Sequence, residues 1–246
     1  MIKYNPQLKI FYSNLLDNQH YFSGFATSNL GDGRKDNTIW SFFHESKYKI
    51  KQLVRLKQIH STNIKVWEEK GNLNNSVVIE NTDGVITKEK NAAFIAITAD
   101  CVPIIFQDPF TGTIGISHQG WKGSLNRLTQ KMVTELQKLG SKTENLRVAI
   151  GPAINQCCYD IDENRYKMFQ TEFSHYSYKF LSTPNRKHFL NLIYLNYLQL
   201  IEAGVKKEHI DFFPFCTRCD SGRFFSSRRL KQDDFPRMFN FVLKFK

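Results

Sequence analysis

The fold of this chain is decided by the stretch AAFIAITADCVPIIFQDPFTGTIGISHQGWKG at residues 92–123. It contains three apolar runs of strand length, at residues 92–98, 103–106 and 113–117. The turn-forming segment 108–112 separates the last two runs, so we predict that they pair as neighbouring strands. This pairing would bring Cys101 and His118 to adjacent strand ends.

The rest of the chain alternates patterns that are typical of helices and of strands. Apolar residues recur at helical spacing at residues 125–139, where Ser124 is the expected N-cap, and at residues 163–173 and 189–203. Strand-like runs lie at residues 146–150, 210–215 and 224–227. This alternation predicts an α/β fold in which a mixed sheet has flanking helices. No repeat or linker-like segment divides the chain, and we expect one domain over residues 1–246.

Composition and charge narrow the class of partner. The chain has 246 residues and a formal net charge of +11. Its basic residues are scattered among apolar ones, which favours anionic small molecules over nucleic acid as the main ligand. The first ten residues lack the unbroken apolar stretch of a secretory signal, and no stretch approaches the roughly 20 apolar residues of a membrane span. We therefore expect a cytoplasmic protein with no membrane partner.

Three residues that commonly bind metals lie at the ends of strand-like runs. They are His60, Cys101 and His118. Two imidazoles and one thiolate suit a zinc ion whose fourth position stays open, which is the pattern of a catalytic site. Copper is the alternative metal for the same donors.

The other four cysteines form two sequence pairs, Cys157 with Cys158 and Cys216 with Cys219. A second metal site and a redox pair are two possible roles for these cysteines. Side chains at neighbouring positions of an extended chain point in opposite directions, which argues against convergence of Cys157 and Cys158. The sequence therefore favours ordinary buried thiols.

Nine short motifs, in this order, resemble those of the laccase-domain family. Members of that family carry the names multicopper polyphenol oxidase, purine nucleoside phosphorylase and peptidoglycan editing factor. The motifs are GFAT (24–27), QIH (58–60), TDGVIT (82–87), TADCVPI (98–104), HQGWKG (118–123), IGPAI (150–154), CYDI (158–161), CTRC (216–219) and FFSSRR (224–229).

This resemblance implies a single-domain α/β fold related to the cysteine-dependent toxin deamidases. It also implies zinc bound by His60, Cys101 and His118, phosphorolysis of adenosine, inosine and 5′-methylthioadenosine, and deamination of adenosine. Purine nucleosides and phosphate are the partners that follow. Oxidation by a multicopper cluster is disfavoured, because the chain has seven histidines and no His-x-His pair.

Further catalytic roles follow from position and charge. Asp100 precedes the thiolate ligand and is our candidate for a proton shuttle or for a group that orients the ligands. Arg228 and Lys122 are the expected ligands of phosphate. The chain departs from the family pattern at Ser28, Gln119 and Lys122, where Arg, Ala and Arg are usual, and in the tail after residue 229. Lysine binds phosphate as a point charge rather than as a planar fork, so these departures bear on phosphate binding.

Two other functions remain open from the sequence. In the first, Cys101 is a nucleophile and His118 its base, and the substrate is an amide of a peptidoglycan precursor or a protein. In the second, the chain binds metal or a partner without catalysis. The reactivity of the Cys101 thiol separates the metal site from the nucleophile.

Overall fold

The computed structural model describes residues 1–17, 19–68, 76–232 and 234–245. Within these residues the chain forms sixteen β-strands and six α-helices. The first eight strands are β1 (Ile2–Asn5), β2 (Ile10–Ser13), β3 (Tyr21–Ala26), β4 (Gln52–Leu56), β5 (Ile64–Trp67), β6 (Ser76–Ile79), β7 (Gly84–Thr87) and β8 (Ala92–Thr98). The others are β9 (Val102–Asp108), β10 (Thr113–Gln119), β11 (Arg147–Ile150), β12 (Asp160–Ile161), β13 (Leu181–Ser182), β14 (His188–Leu190), β15 (Ile210–Phe212) and β16 (Met238–Lys244).

The helices are short and lie mostly in the second half of the chain. They are α1 (Asp36–Glu45), α2 (Trp121–Leu125), α3 (Leu128–Lys138), α4 (Glu163–Glu172), α5 (Leu192–Glu202) and α6 (Ser227–Leu230). Among the described residues, no helix has the length and apolar character needed to cross a membrane.

Two large mixed sheets form the centre of the fold. One has seven strands in the order β1-β2-β3-β16-β8-β4-β6, and the other has six in the order β15-β11-β9-β10-β7-β5. Parallel pairs occur in both sheets, between β4 and its two neighbours and between β5 and β7. A small third sheet has the order β12-β14-β13. The predicted α/β class with mixed sheet and flanking helices is confirmed, with two large sheets in place of one.

Strand β9 shows how the layers pack, because all seven of its residues are buried. Ile104 and Phe106 point into a core shared with α3, α4 and α5, whereas Ile105 points into the core between the two large sheets. Helix α1 covers the opposite face of the seven-stranded sheet. Both faces of β9 are therefore removed from water, which explains its unbroken apolar sequence.

The strand pairing predicted at residues 92–123 is confirmed. Strands β9 and β10 pair antiparallel, with His118 opposite Pro103 and Gln119 opposite Val102. Cys101, one residue before β9, therefore lies beside the end of β10 that carries His118.

Three local predictions differ from the structure. The segment 125–139 is interrupted at Arg127, whose φ of 60° separates α2 from α3, and the residue that precedes α2 is Gly120 rather than Ser124. The segment 189–203 begins in strand β14, and α5 starts only after Asn191, whose side chain accepts a hydrogen bond from the Tyr194 N–H. Residues 224–227 form no strand.

The last difference arises from a helix cap. The hydroxyl of Ser226 accepts a hydrogen bond from the backbone N–H of Arg229, and this contact starts the short helix α6. Serine competes in this way with extended structure, because its side chain satisfies a helix N–H that has no partner within the helix.

Candidate metal centre

A single buried carboxylate organises the loop that carries His60. Asp83, just before β7, is fully buried and accepts backbone N–H groups from Ile59 at 3.2 Å, His60 at 3.1 Å and Ser61 at 2.8 Å. The Ser61 hydroxyl donates to the same carboxylate at 2.7 Å. His60 has a φ of 58°, a left-handed conformation that is uncommon for residues other than glycine. The loop is wound around Asp83, and this fixes the position of the His60 side chain.

Asp83 also orients His118. Nδ1 of His118 lies 2.8 Å from Oδ1 of Asp83, and the His118 backbone N–H donates to the Asp83 carbonyl at 2.8 Å. Asp83 holds the proton on Nδ1, so Nε2 is the nitrogen that would give up its proton to bind a metal, which is the arrangement that carboxylates impose on metal-binding histidines.

Asp83 and His118 each favour the charged form of the other. Burial would raise the pKa of Asp83, but hydrogen bonds from His118 and Ser61 outweigh it and bring that pKa to about 2. Burial would likewise lower the pKa of His118, but the Cys101 sulfur and Asp83 raise it to about 9. The pKa of His60 is lowered by burial, by His118 and by Lys122.

The three predicted ligands come together at one point. One donor atom from each of His60, Cys101 and His118 lies within 4.8 Å of the other two. The two imidazole ring centroids are 4.8 Å apart. Gly120 makes room for this approach, because a Cβ atom at that position would lie 2.3 Å from Nδ1 of His60. Two imidazoles and one thiolate are a donor set that fits zinc.

The centre lies between two cavities, and Cys101 lines both of them. The larger has a volume of about 340 Å³, includes His60 and His118 in its wall, and is strongly basic. Its cationic side chains are those of Arg34, Arg55, Lys57 and Arg237. The smaller has a volume of about 240 Å³ and an aromatic wall formed by Trp121 and Tyr159.

The Asp100 carboxylate is saturated with hydrogen bonds from the protein. Oδ1 accepts from the Thr217 hydroxyl at 2.6 Å, and Oδ2 accepts from the hydroxyls of Ser226 at 2.9 Å and Ser227 at 2.8 Å. The backbone N–H of Arg228 also donates to Oδ2, at 2.9 Å. These contacts favour the orienting role of Asp100 over that of a proton shuttle.

The two predicted phosphate ligands lie in different settings. Arg228 lines the smaller cavity, where its Nη1 donates to Asp160 at 2.9 Å and its guanidinium carbon is 5.2 Å from the centre of the Tyr159 ring. Lys122 is exposed, lies over Trp121 with Nζ 5.7 Å from the ring centre, and lines neither of these two cavities. The phosphate-binding roles of both stay predictions.

Residues 23–244 match the model of a family described as multi-copper polyphenol oxidoreductase laccase. The chain belongs to this family.

Two proteins that are similar in sequence to this chain carry the names of nucleoside enzymes. The purine nucleoside phosphorylase YlmD of Bacillus subtilis (strain 168) is 27% identical to this chain, covering 92% of it and 89% of the relative. The adenosine deaminase RL5, from an unknown prokaryotic organism, is 29% identical and covers 72% and 70%. The crystal structure of a Bacillus licheniformis hypothetical protein, YfiH, superposes with a TM-score of 0.84 at 27% identity, over 92% of this chain and 93% of that one.

The structure contradicts the expectation that the four cysteines other than Cys101 are ordinary buried thiols. Cys157 and Cys158 lie in a turn rather than on an extended segment, and Cys157 and Cys219 are exposed. The four sulfur atoms of Cys157, Cys158, Cys216 and Cys219 lie within 4.8 Å of one another.

Sequence reasoning missed Asp83 and the basic wall of the larger cavity. Asp83 is the one charged residue of the motif TDGVIT, and its partners lie more than twenty positions away. Arg34 and Arg237 are separated by about two hundred positions, so they form no cluster of charge in the sequence that would predict a shared cavity wall. The available signal for Asp83 was its position directly before a buried strand.

Proposed function

We propose that this chain is a zinc-dependent purine nucleoside enzyme, which cleaves adenosine, inosine and 5′-methylthioadenosine with phosphate and deaminates adenosine. The observation that carries the proposal is the position of the three-ligand centre between a basic cavity and an aromatic one. The names of the two relatives support purine nucleosides as the substrate class, with phosphorolysis in one and deamination of adenosine in the other. The proposal includes one domain over residues 1–246 and a cytoplasmic location.

The metal would be held by His60, Cys101 and His118. Zinc, when bound there, supplies a Lewis acid that polarises a substrate oxygen or activates water. Copper suits the same donors, but a multicopper cluster needs more imidazoles than this centre offers. Asp83 keeps the Nδ1 proton of His118 in place, and Gly120 leaves the space that His60 occupies.

The larger cavity suits a phosphate dianion. Arg34 is paired with Asp32 and Asp234, and Arg55 is paired with Asp36. The buried Nε of Arg237 has no hydrogen-bond partner among the described residues. The guanidinium of Arg237 lines this cavity and forms no ion pair with a carboxylate of the described residues, so its positive charge can attract a phosphate anion. Arg237 is therefore our candidate for the principal phosphate ligand, beside the sequence-based candidates Arg228 and Lys122.

The smaller cavity suits the purine base. Tyr159 and Trp121 form its aromatic surface, and the guanidinium carbons of Arg228 and Arg165 lie 5.2 and 4.4 Å from the respective ring centres. Bases stack on aromatic rings and on guanidinium planes. With the base in this cavity and phosphate in the other, the sugar lies between them, beside the centre.

A second candidate function is favoured by one specific observation. Asp83, His118 and Cys101 form a chain in which a carboxylate holds Nδ1 of an imidazole and the imidazole meets a thiol. This order is that of a nucleophile, its base and an orienting group. An amide hydrolase that acts on a peptidoglycan precursor or a protein follows from it. It gives no role to His60, although the loop adopts a left-handed conformation that directs this side chain to the centre.

One experiment separates the two functions. The protein is treated with iodoacetamide with and without a zinc chelator, and alkylation of Cys101 is mapped by mass spectrometry. Nucleosides are assayed in parallel with and without phosphate. We expect slow alkylation of Cys101 until the metal is removed, together with nucleoside turnover by the untreated protein. Equal alkylation with and without chelator, and no turnover of any nucleoside, would refute the proposal.

A further inference from the structure

The four cysteines outside the first centre converge in a way that the nucleoside chemistry does not use. Sγ of Cys219 lies 3.3 Å from Sγ of Cys158 and 3.7 Å from Sγ of Cys157, and Cys216 completes a set within 4.8 Å. With zinc–sulfur bonds of about 2.3 Å, the sulfurs of a tetrahedral tetrathiolate site lie about 3.8 Å apart. The spacing is thus that of four ligands around one ion, and we propose that Cys157, Cys158, Cys216 and Cys219 bind a second zinc ion in a closed, structural site.

The backbone around the cluster favours a metal over independent thiols. The sequence Cys216-Thr217-Arg218-Cys219 has the two-residue spacing common in structural zinc sites. Its first sulfur accepts a hydrogen bond from the Asn155 backbone N–H at 3.3 Å, and Ala153 forms a backbone bridge with Cys216. Donors to a ligating sulfur orient it and offset its negative charge. These backbone contacts hold the two cysteine-bearing turns side by side.

Other roles for the four cysteines do not account for both their exposure and their convergence. A cysteine that serves as a small hydrophobic residue is buried, but Cys157 and Cys219 are exposed. A disulfide between Cys158 and Cys219, whose sulfurs lie 3.3 Å apart, would need only two of the four converging sulfurs. A tetrathiolate site uses all four. It also leaves no open position, which distinguishes it from the centre at Cys101.

The location of the cluster gives the second ion a function. Cys158 precedes Tyr159, which lines the smaller cavity, and Cys216 precedes Thr217, whose hydroxyl binds Asp100 at 2.6 Å. The two turns are about sixty positions apart in sequence, and an ion shared by them ties Tyr159 of the cavity wall to Thr217, which holds the wall residue Asp100. The site thus acts on the cavity by positioning its walls, without contact between the ion and substrate.

The test uses the 246-residue chain with Cys101→Ser, which removes one ligand of the first centre and leaves the cluster intact. Purified under reducing conditions, this variant is expected to keep about one zinc per chain. Adding Cys219→Ser should remove that zinc, whereas adding Ser221→Ala, at an exposed position of the same region, should leave it in place. Retention of zinc after Cys219→Ser would overturn the proposal.

A spectroscopic measurement covers the case in which Cys219→Ser fails to fold. Cadmium titrated into metal-free Cys101→Ser should give thiolate-to-metal ultraviolet absorption that saturates at about one ion with the intensity of four thiolates. A folded Cys101→Ser chain that binds neither zinc nor cadmium would refute the second site. A Cys158–Cys219 disulfide in the freshly purified chain, in place of the metal, would refute it as well.

The second site and the proposed nucleoside activity fail in different ways. Absence of nucleoside turnover by a wild-type chain whose cluster holds zinc would refute the activity alone. A positioning role also predicts faster amide hydrogen exchange at residues 155–160 and 216–220 once the cluster zinc is removed. Unchanged exchange in both segments would contradict that role.

Discussion

Nδ1 of His118 lies 2.8 Å from a carboxylate oxygen of Asp83, and both side chains are almost completely buried. The same carboxylate holds the loop that carries His60. Asp83 therefore positions two of the three candidate ligands. Its pKa of about 2 keeps it ionised at neutral pH, because the hydrogen bonds from His118 and Ser61 outweigh burial.

Asp83→Asn is expected to weaken metal binding. The amide keeps the volume of the carboxylate but cannot accept at every position, so the His118 ring and the His60 loop lose their fixed orientation. Removing such a partner typically costs about 10–100-fold in metal affinity. Competition with a chromophoric zinc chelator measures the change. Glu80→Gln, at an exposed carboxylate nearby, is the control that should bind zinc normally. Wild-type affinity in Asp83→Asn would remove Asp83 from the centre.

Gly120→Ala is expected to displace His60. The added Cβ would lie 2.3 Å from Nδ1 of that ring, and the backbone at Gly120 has an ordinary φ of −71°, so the effect is steric rather than conformational. Zinc content and turnover should both fall, while the fold, measured by circular dichroism, persists. Gly222→Ala is the matched control, because no atom of the described part of the chain lies within 4 Å of its added Cβ. Full activity of Gly120→Ala would mean that His60 is dispensable.

Asp100→Asn separates an orienting role from proton transfer. An amide cannot accept all four hydrogen bonds, so an orienting Asp100 predicts a loss of about 1–3 kcal/mol in unfolding free energy. Thr217→Val, which removes one of the four donors, should reproduce part of that loss. A proton shuttle predicts instead a fall in turnover of about 10²–10⁴ with stability unchanged. Chemical denaturation and kinetics on the same preparation distinguish these results, and we expect the first.

Arg237→Ala is expected to impair phosphorolysis more than adenosine deamination, because only the first reaction needs a phosphate dianion. Hydrogen bonds to charged groups contribute about 1.5–3 kcal/mol, so the loss should be roughly tenfold or more in kcat/KM. Arg228→Ala, in the smaller cavity, should lower both reactions alike if it holds the base. A selective loss of phosphorolysis in Arg228→Ala, with Arg237→Ala unaffected, would identify Arg228 as the phosphate ligand, as the sequence predicts.

Sequence reasoning was effective where the relevant contacts are local. The pairing that brings Cys101 beside His118 followed from one turn of five residues and two apolar runs. The expectation for Cys157 and Cys158 failed because it assumed an extended chain, whereas the two residues lie in a turn that directs their sulfurs toward Cys219.

Long-range partners were beyond local patterns. Asp83 contacts His118 across 35 positions of sequence. Arg34 and Arg237 line the same cavity although they lie near opposite ends of the chain. The start of α5 depended on Asn191, whose side chain caps the helix, while the apolar periodicity extends to Phe189 on β14. Periodicity reports which face is buried, but a cap decides where the helix begins.

The three-ligand centre is tested most directly by zinc content and nucleoside turnover, measured on the same preparations of wild type and His60→Ala. We expect His60→Ala to lose about one zinc per chain and, with it, both phosphorolysis and deamination. His60 is the decisive position, because the alternative Asp83–His118–Cys101 mechanism does not use it. A His60→Ala chain that keeps its full metal content, or that turns over nucleosides at the wild-type rate, would rule out His60 as a ligand of a catalytic zinc ion.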